Sequence, residues 1–155
     1  MFYIIYMSKA VKLMQEEDLN AVLKESRDWN KTHELTGMLL YIRGHILSHV
    51  EGRFIQVIEG REDEVKYIFE RIKNDKRHQA ITVLKQGVIK KRNFETWQMG
   101  FQSLFTEEFE AKEGHFELND AFLESGKLQR LNVALSFLKS FYNMSLNKSD
   151  EADVA

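Results

Sequence analysis

The sequence contains no cysteine and no proline. Without cysteine there are no disulfides, no thiolate metal sites and no cysteine nucleophile. Without proline there is one class of turn fewer and no switch built on proline isomerisation. Neither sign of charge dominates. Lys and Arg number 22 against 24 Asp and Glu, a formal net charge of −2. A general nucleic-acid binder carries a basic stripe, and this chain has none. Long apolar runs are also missing. The opening MFYIIYMSKAVKL is apolar, but it is too short to cross a bilayer and no basic region precedes it. It reads as a buried strand of a cytoplasmic protein with no membrane partner. His45 and His49 have a workable metal spacing, but no third ligand is placed with them, so they read as surface histidines and no metal is expected.

What is present is a chain of 155 residues, enough for one core and a small addition. FYIIYMS (2–8) is β-branched and aromatic, hence a first strand. In EEDLNAVLKESRDWNK, Leu19, Val22, Leu23 and Ser26 recur at helical spacing behind an acidic first turn. LTGMLLYI reads as strand two and RFIQVIEG (53–60) as strand three. Between them GHILSHVE either lengthens a hairpin or forms an interface. Val65, Ile68, Phe69 and Ile72 mark a second amphipathic helix. AITVLKQGVIKK is strand four, and TWQMGF (96–101) a short strand five. The order βαββαββ predicts an α+β, ferredoxin-like fold: a mixed five-stranded sheet with two helices on one face.

Residues 106–146 form a helical extension, and 147–155 read as a disordered tail. Within the extension, TEEFEAKEGHFEL is acidic and reads as a linker, NDAFLESG as a short helix. Leu128, Leu131, Leu135, Leu138 and Tyr142 then form an apolar stripe. That stripe is expected to cover the second face of the sheet, with an oligomer interface as the alternative.

Three polar residues stand on apolar faces. Phe54, Gln56 and Ile58 share one face of strand three, while Ile55 and Val57 share the other. A buried amide without partners costs roughly 1–3 kcal/mol, so Gln56 needs partners. Tyr6 is in register with Phe2 and Ile4, and its hydroxyl needs one too. Asn30 lies four residues after Ser26 and seven after Leu23, on the buried side of helix one. Singly, each has a structural explanation. Together they outline a polar-lined slot for a flat ligand with hydrogen-bonding edges.

At these residues the sequence resembles the BLUF family, blue-light sensors that use FAD. The resemblance is carried by YIIYMS, SRDWNKTHELTGMLLY, RFIQVIEG, IFERIKNDKRH and NFETWQMGF, in that order, over roughly residues 2–103. It implies the ferredoxin-like sheet with FAD between the two helices and its ring against the sheet. Tyr6 matches the photoactive tyrosine, and Gln56 the glutamine between that tyrosine and the flavin. Asn30 matches the amide on the flavin's pyrimidine edge. Asp75, Arg77 and His78 match the segment beside the flavin and its ribityl-phosphate side. Trp97 and Met99 match the fifth-strand pair that approaches the glutamine. Position 29 departs from the pattern: Trp29 stands where the family more often has a smaller polar residue.

The resemblance also implies a mechanism. Excited flavin takes an electron from Tyr6, the proton follows through the amide, and Gln56 rotates or tautomerises, leaving a red-shifted, metastable state. The signal then leaves through strand five and the tail, by way of a homo-oligomer or a downstream signalling protein, and no enzymatic activity is implied. Two rivals remain at this point. One is a ferredoxin-like ligand-binding or regulatory module without photochemistry, since fold alone does not set function. The other is a hydrolase of the acylphosphatase type. Against it, no glycine-rich anion loop with a following arginine stands near strand one.

Overall fold

The computed structural model describes residues 1–46, 49–95 and 98–111. Its elements run β1 (Phe2–Ala10), α1 (Glu16–His33), β2 (Thr36–Ile46), β3 (His49–Gly60), α2 (Glu62–Lys73), β4 (His78–Val88), β5 (Gly100–Phe105) and α3 (Thr106–Ala111). The sheet order is β4-β1-β3-β2-β5. Neighbours are antiparallel except β5, which pairs parallel to β2. Each βαβ unit thus crosses one intervening strand, from β1 over β3 to β2 and from β3 over β1 to β4. Crossovers of one hand carry both helices to the same face. This is the expected ferredoxin-like arrangement with a mixed fifth strand.

The helices form where their ends and faces agree. Acidic residues 16–18 open α1 and 62–64 open α2, complementing the positive end of each helix dipole. Helix α1 stops at Glu34, whose φ of 55° is left-handed and whose N–H bonds the Asn30 carbonyl. Leu19 and Leu23 of α1 pack with Leu39, Tyr41, Phe54 and Met99. Val65 and Phe69 of α2 pack with Phe2, Ile4, Tyr6 and Ile58. Burying two such side chains stabilises each docking by roughly 3–6 kcal/mol. Each helix is therefore held by the sheet beneath it, which leaves a gap between the two for a site. On the opposite face Ile5, Met7, Leu40, Ile42, Ile55 and Val57 are fully buried.

Several expectations shift in position. Strand five starts at Gly100, not at Thr96, because it is defined by its partner: β2 offers its free edge from Met38 to Arg43, which pairs with Gly100–Phe105. The polar Gln102 and Ser103 suit an edge strand and hid it from an apolar-run reading. Met99 therefore precedes the strand, and Trp97 lies outside the described residues. The acidic stretch read as a linker opens with α3. The segment 44–51 lengthens the hairpin: pairing continues to Ile46↔His49. Gly44 permits this, since its φ of 139° suits glycine and a Cβ there would meet the Thr106 hydroxyl at 2.6 Å. The expected short helix at 119–126, the stripe Leu128–Tyr142 and the tail 147–155 lie outside the described residues.

Candidate functional site

The register of β1 on β3 sets Tyr6 directly opposite Gln56, and Gln56 in turn opposite Leu39 of β2. The Tyr6 hydroxyl donates to Gln56 Oε1. A phenol donor can bond only the carbonyl end of an amide, so Gln56 Nε2 turns the other way, 3.4 Å from Met99 Sδ. Thioether sulfur is a weak acceptor. The amide is thus firmly held at one end and loosely at the other. Both residues are buried, Tyr6 at 3% exposure and Gln56 at 5%. Burial, and secondarily the Asp75 charge, push the Tyr6 phenol well above its ordinary value. It stays protonated, as a donor to Gln56 must.

Above this pair a cleft of about 690 Å³ opens between α1 and α2. Tyr6, Asn30, Gln56, Asp75, Arg77 and His78 all line it, so the structure brings together every binding residue expected from the sequence. Asn30, 3% exposed, donates through Nδ2 to the Gln98 carbonyl at 2.5 Å, and its Oδ1 is uncommitted among the described residues. Arg77 clasps Asp75 through Nε and Nη2 and reaches Glu25 of α1 at 2.9 Å. Its Nη1 remains uncommitted among the described residues. Burial alone would raise the Asp75 carboxyl. The Arg77 hydrogen bonds and charge outweigh it and hold the group below its ordinary value. The hydrogen bonds to Asp75 likewise raise the Arg77 guanidinium.

His78 is placed differently from a simple ligand. Its Nε2 faces the Ile72 carbonyl at 2.5 Å, and since a carbonyl only accepts, that nitrogen carries hydrogen. Its Nδ1 lies 2.7 Å from the hydroxyl of fully buried Ser8. Both nitrogens are occupied, and the ring stands edge-on to Tyr6 at 6.2 Å. Trp29 also lines the cleft. It stacks on His33 at 4.0 Å, with the Arg71 guanidinium 4.5 Å over its ring, and its Nε1 is buried without a partner among the described residues.

A family profile described as BLUF, sensors of blue-light using FAD, matches residues 1–100. The chain belongs to the BLUF family. It is a flavin-binding blue-light sensor domain. Among relatives, photoactivated adenylate cyclase subunit beta of Euglena gracilis is 32% identical over 87 residues, 56% of this chain and 9% of that protein. The BLUF chain thus spans about a tenth of the curated relatives it matches. Among solved structures, the BlsA photo-activated state is 25% identical with a TM-score of 0.67, covering 90% of this chain and 92% of that one. Klebsiella pneumoniae BlrP1 with FMN and cyclic diGMP is 26% identical with a TM-score of 0.56, covering 66% and 25%.

The BLUF cleft suits a flavin by its chemistry. A planar ring with mixed donors and acceptors on one edge needs both kinds of partner. Asn30 offers an acceptor, while Gln56 and Arg77 offer N–H groups with capacity left over. Apolar Val22, Leu39, Ile68 and Ile72 line the rest. Sequence reasoning gave no role to Ser8, Glu25 and Arg27. Ser8 was discoverable, because it shares the face of Tyr6 in the quoted strand. Arg27 donates to the Met99 carbonyl at 3.1 Å, and Glu25 pairs with Arg77. Neither has a local signal, since charged residues on a helix flank are ordinary.

Proposed function

We propose that Tyr6 and Gln56 are the light-sensitive pair of this BLUF domain and that Asn30 and Arg77 orient the flavin over them. The observation that carries this is the direct hydrogen bond from the Tyr6 phenol to Gln56 Oε1 at the floor of the cleft. A bound flavin supplies blue-light absorption and an excited state that accepts an electron. Among the described residues Tyr6 is the one phenol lining the cleft, so it is the side chain from which an electron and proton leave. Gln56 holds that proton's acceptor atom. Its loose contact to Met99 Sδ lets the amide turn or tautomerise, exchanging which end meets the phenol. Asp75 holds the Arg77 fork in place, and Ser8 with the Ile72 carbonyl fixes the His78 ring beside Tyr6.

The preferred cofactor is FAD, supported by the family's description, although the relative BlrP1 is seen with FMN. The domain itself is no enzyme. Its signal leaves through the segment that runs from Met99 into β5 and α3, toward the 106–146 extension, a second copy or a cytoplasmic partner protein. Trp97, through the family resemblance, belongs to the same relay.

The test is a visible spectrum before and after blue illumination, with the flavin released by heat and identified by chromatography. Wild type gives a reversible red shift and releases FAD. Tyr6→Phe and Gln56→Leu keep the flavin but lose the shift. A shift that survives Tyr6→Phe overturns the assignment of the pair.

A further inference from the structure

Glu59 is fully buried, with 0% exposure, and both of its carboxylate oxygens accept hydrogen bonds. Its Oε1 accepts from the Thr36 hydroxyl at 3.0 Å and the Phe94 N–H at 2.6 Å. Its Oε2 accepts from the Asn93 N–H at 2.9 Å and the Asn93 side chain at 3.3 Å. Among the described residues no cation lies within ion-pair distance of it. The carboxylate is held by neutral donors, and three of the four come from the connection between β4 and β5. Arg92 reinforces the same attachment, donating to Thr36 Oγ1, to the Glu59 carbonyl and to the Glu34 carbonyl.

That connection reaches the cleft five residues later. From Phe94 to Met99 a chain spans at most roughly 17 Å, so fixing residues 92–94 restricts where Met99 can be. At this far end the Met99 carbonyl accepts from Arg27, the Gln98 carbonyl from Asn30, and Met99 Sδ sits against the Gln56 amide. The contact with Gln56 is weak and makes no demand on position by itself.

Resting on the assignment of Tyr6 and Gln56 as the light-sensitive pair, we propose that Glu59 is a positioning residue for the photoswitch: by pinning residues 92–94 it keeps Met99 against Gln56 and so sets how long the light-adapted state lasts. Glu59 lies three residues from Gln56 on the opposite face of β3 and touches neither the cleft nor Tyr6. Loosening the anchor lets Met99 withdraw, which lowers the barrier for the amide to turn back.

The test follows dark recovery of the flavin band after blue light, together with the Met99 methyl signal in a 13C-methyl NMR spectrum. Glu59→Gln keeps the shape but presents N–H to N–H at one of its two ends, and Arg92→Gln loosens the same segment while leaving the carboxylate in place. Both are expected to shift the Met99 methyl in the dark state and to speed recovery, Glu59→Gln by about tenfold and Arg92→Gln by less. Leu84→Ala, a buried deletion on β4, controls for general destabilisation and leaves both readings unchanged. Unchanged recovery and an unmoved Met99 signal in Arg92→Gln overturn the proposal, even if Glu59→Gln fails to fold. Equal acceleration by Leu84→Ala also overturns it. A wild type with no red shift fails at the earlier step and removes the photochemical reading itself.

Discussion

Gln56 and Glu59 stand three residues apart on β3, one facing the cleft and the other facing away. Both are buried polar side chains, and their surroundings differ in kind. Glu59 meets four donors, each at hydrogen-bond distance. Gln56 meets one phenol and one sulfur. An amide and a carboxylate have similar capacity for partners, so the contrast lies in what the fold provides. A saturated polar group cannot turn without breaking several bonds at once and serves as an anchor. One with spare capacity can accept a ligand or change partners. In the proposed reading the same strand carries the moving part and its mount, and alternation of side chains keeps them on opposite faces.

The largest effect that tests this contrast is on stability. Glu59→Ala leaves buried donors unpaired and is expected to destabilise the flavin-loaded protein by about 3–5 kcal/mol. Gln56→Leu leaves the Tyr6 phenol without its partner and is expected to cost about 1–2 kcal/mol. Urea unfolding followed by circular dichroism ranks the two, and the reverse order would break the comparison. A smaller effect sharpens it. Adding Tyr6→Phe to Gln56→Leu removes the stranded phenol, so the double variant is expected to regain most of the loss, about 1 kcal/mol. Simple additivity of the two single costs would show that the phenol and amide are not coupled.

The smallest effect concerns acid. The Asp75 carboxyl is held below its ordinary value in the fold. Its contribution is therefore present above the ordinary carboxyl value, near pH 4, and is lost as pH falls through the lower folded value. Glu51, paired with Lys9 and Arg53, has the same sign, so wild type alone cannot separate them. Asp75→Asn does: it is expected to be less stable than wild type at neutral pH, with the gap narrowing as pH falls below the ordinary carboxyl value and closing only below the lower folded one. A gap that persists in acid would assign the loss to packing.

The parts of the site legible in the sequence were those that interrupt a local period. Gln56 and Tyr6 break an apolar alternation, and Asn30 falls on the apolar stripe of α1, so each announced itself within a few residues of its neighbours. The family pattern then supplied Asp75, Arg77 and His78. Glu59 gave no such signal. A carboxylate at a strand's end before a glycine is ordinary, and its donors at Asn93 and Phe94 lie 34 and 35 residues away. His78 was read as a residue against the ligand; it lines the cleft, and its two nitrogens meet Ser8 and Ile72. Strand five was displaced because an edge strand is defined by the neighbour it pairs with, and Gln102 and Ser103 carry no apolar run.

The order of elements, the face each side chain takes and the presence of three polar residues among apolar ones follow from periods of 2 and 3.6 that any short window displays. Which of those residues meet is a different matter. That Tyr6 stands opposite Gln56, that Met99 rests on the amide's free end and that Glu59 grips the β4–β5 connection depend on strand register and on crossovers that close over tens of residues. Those contacts are settled by the packing of the whole sheet, because only there do distant donors and acceptors lose water together and have to find each other.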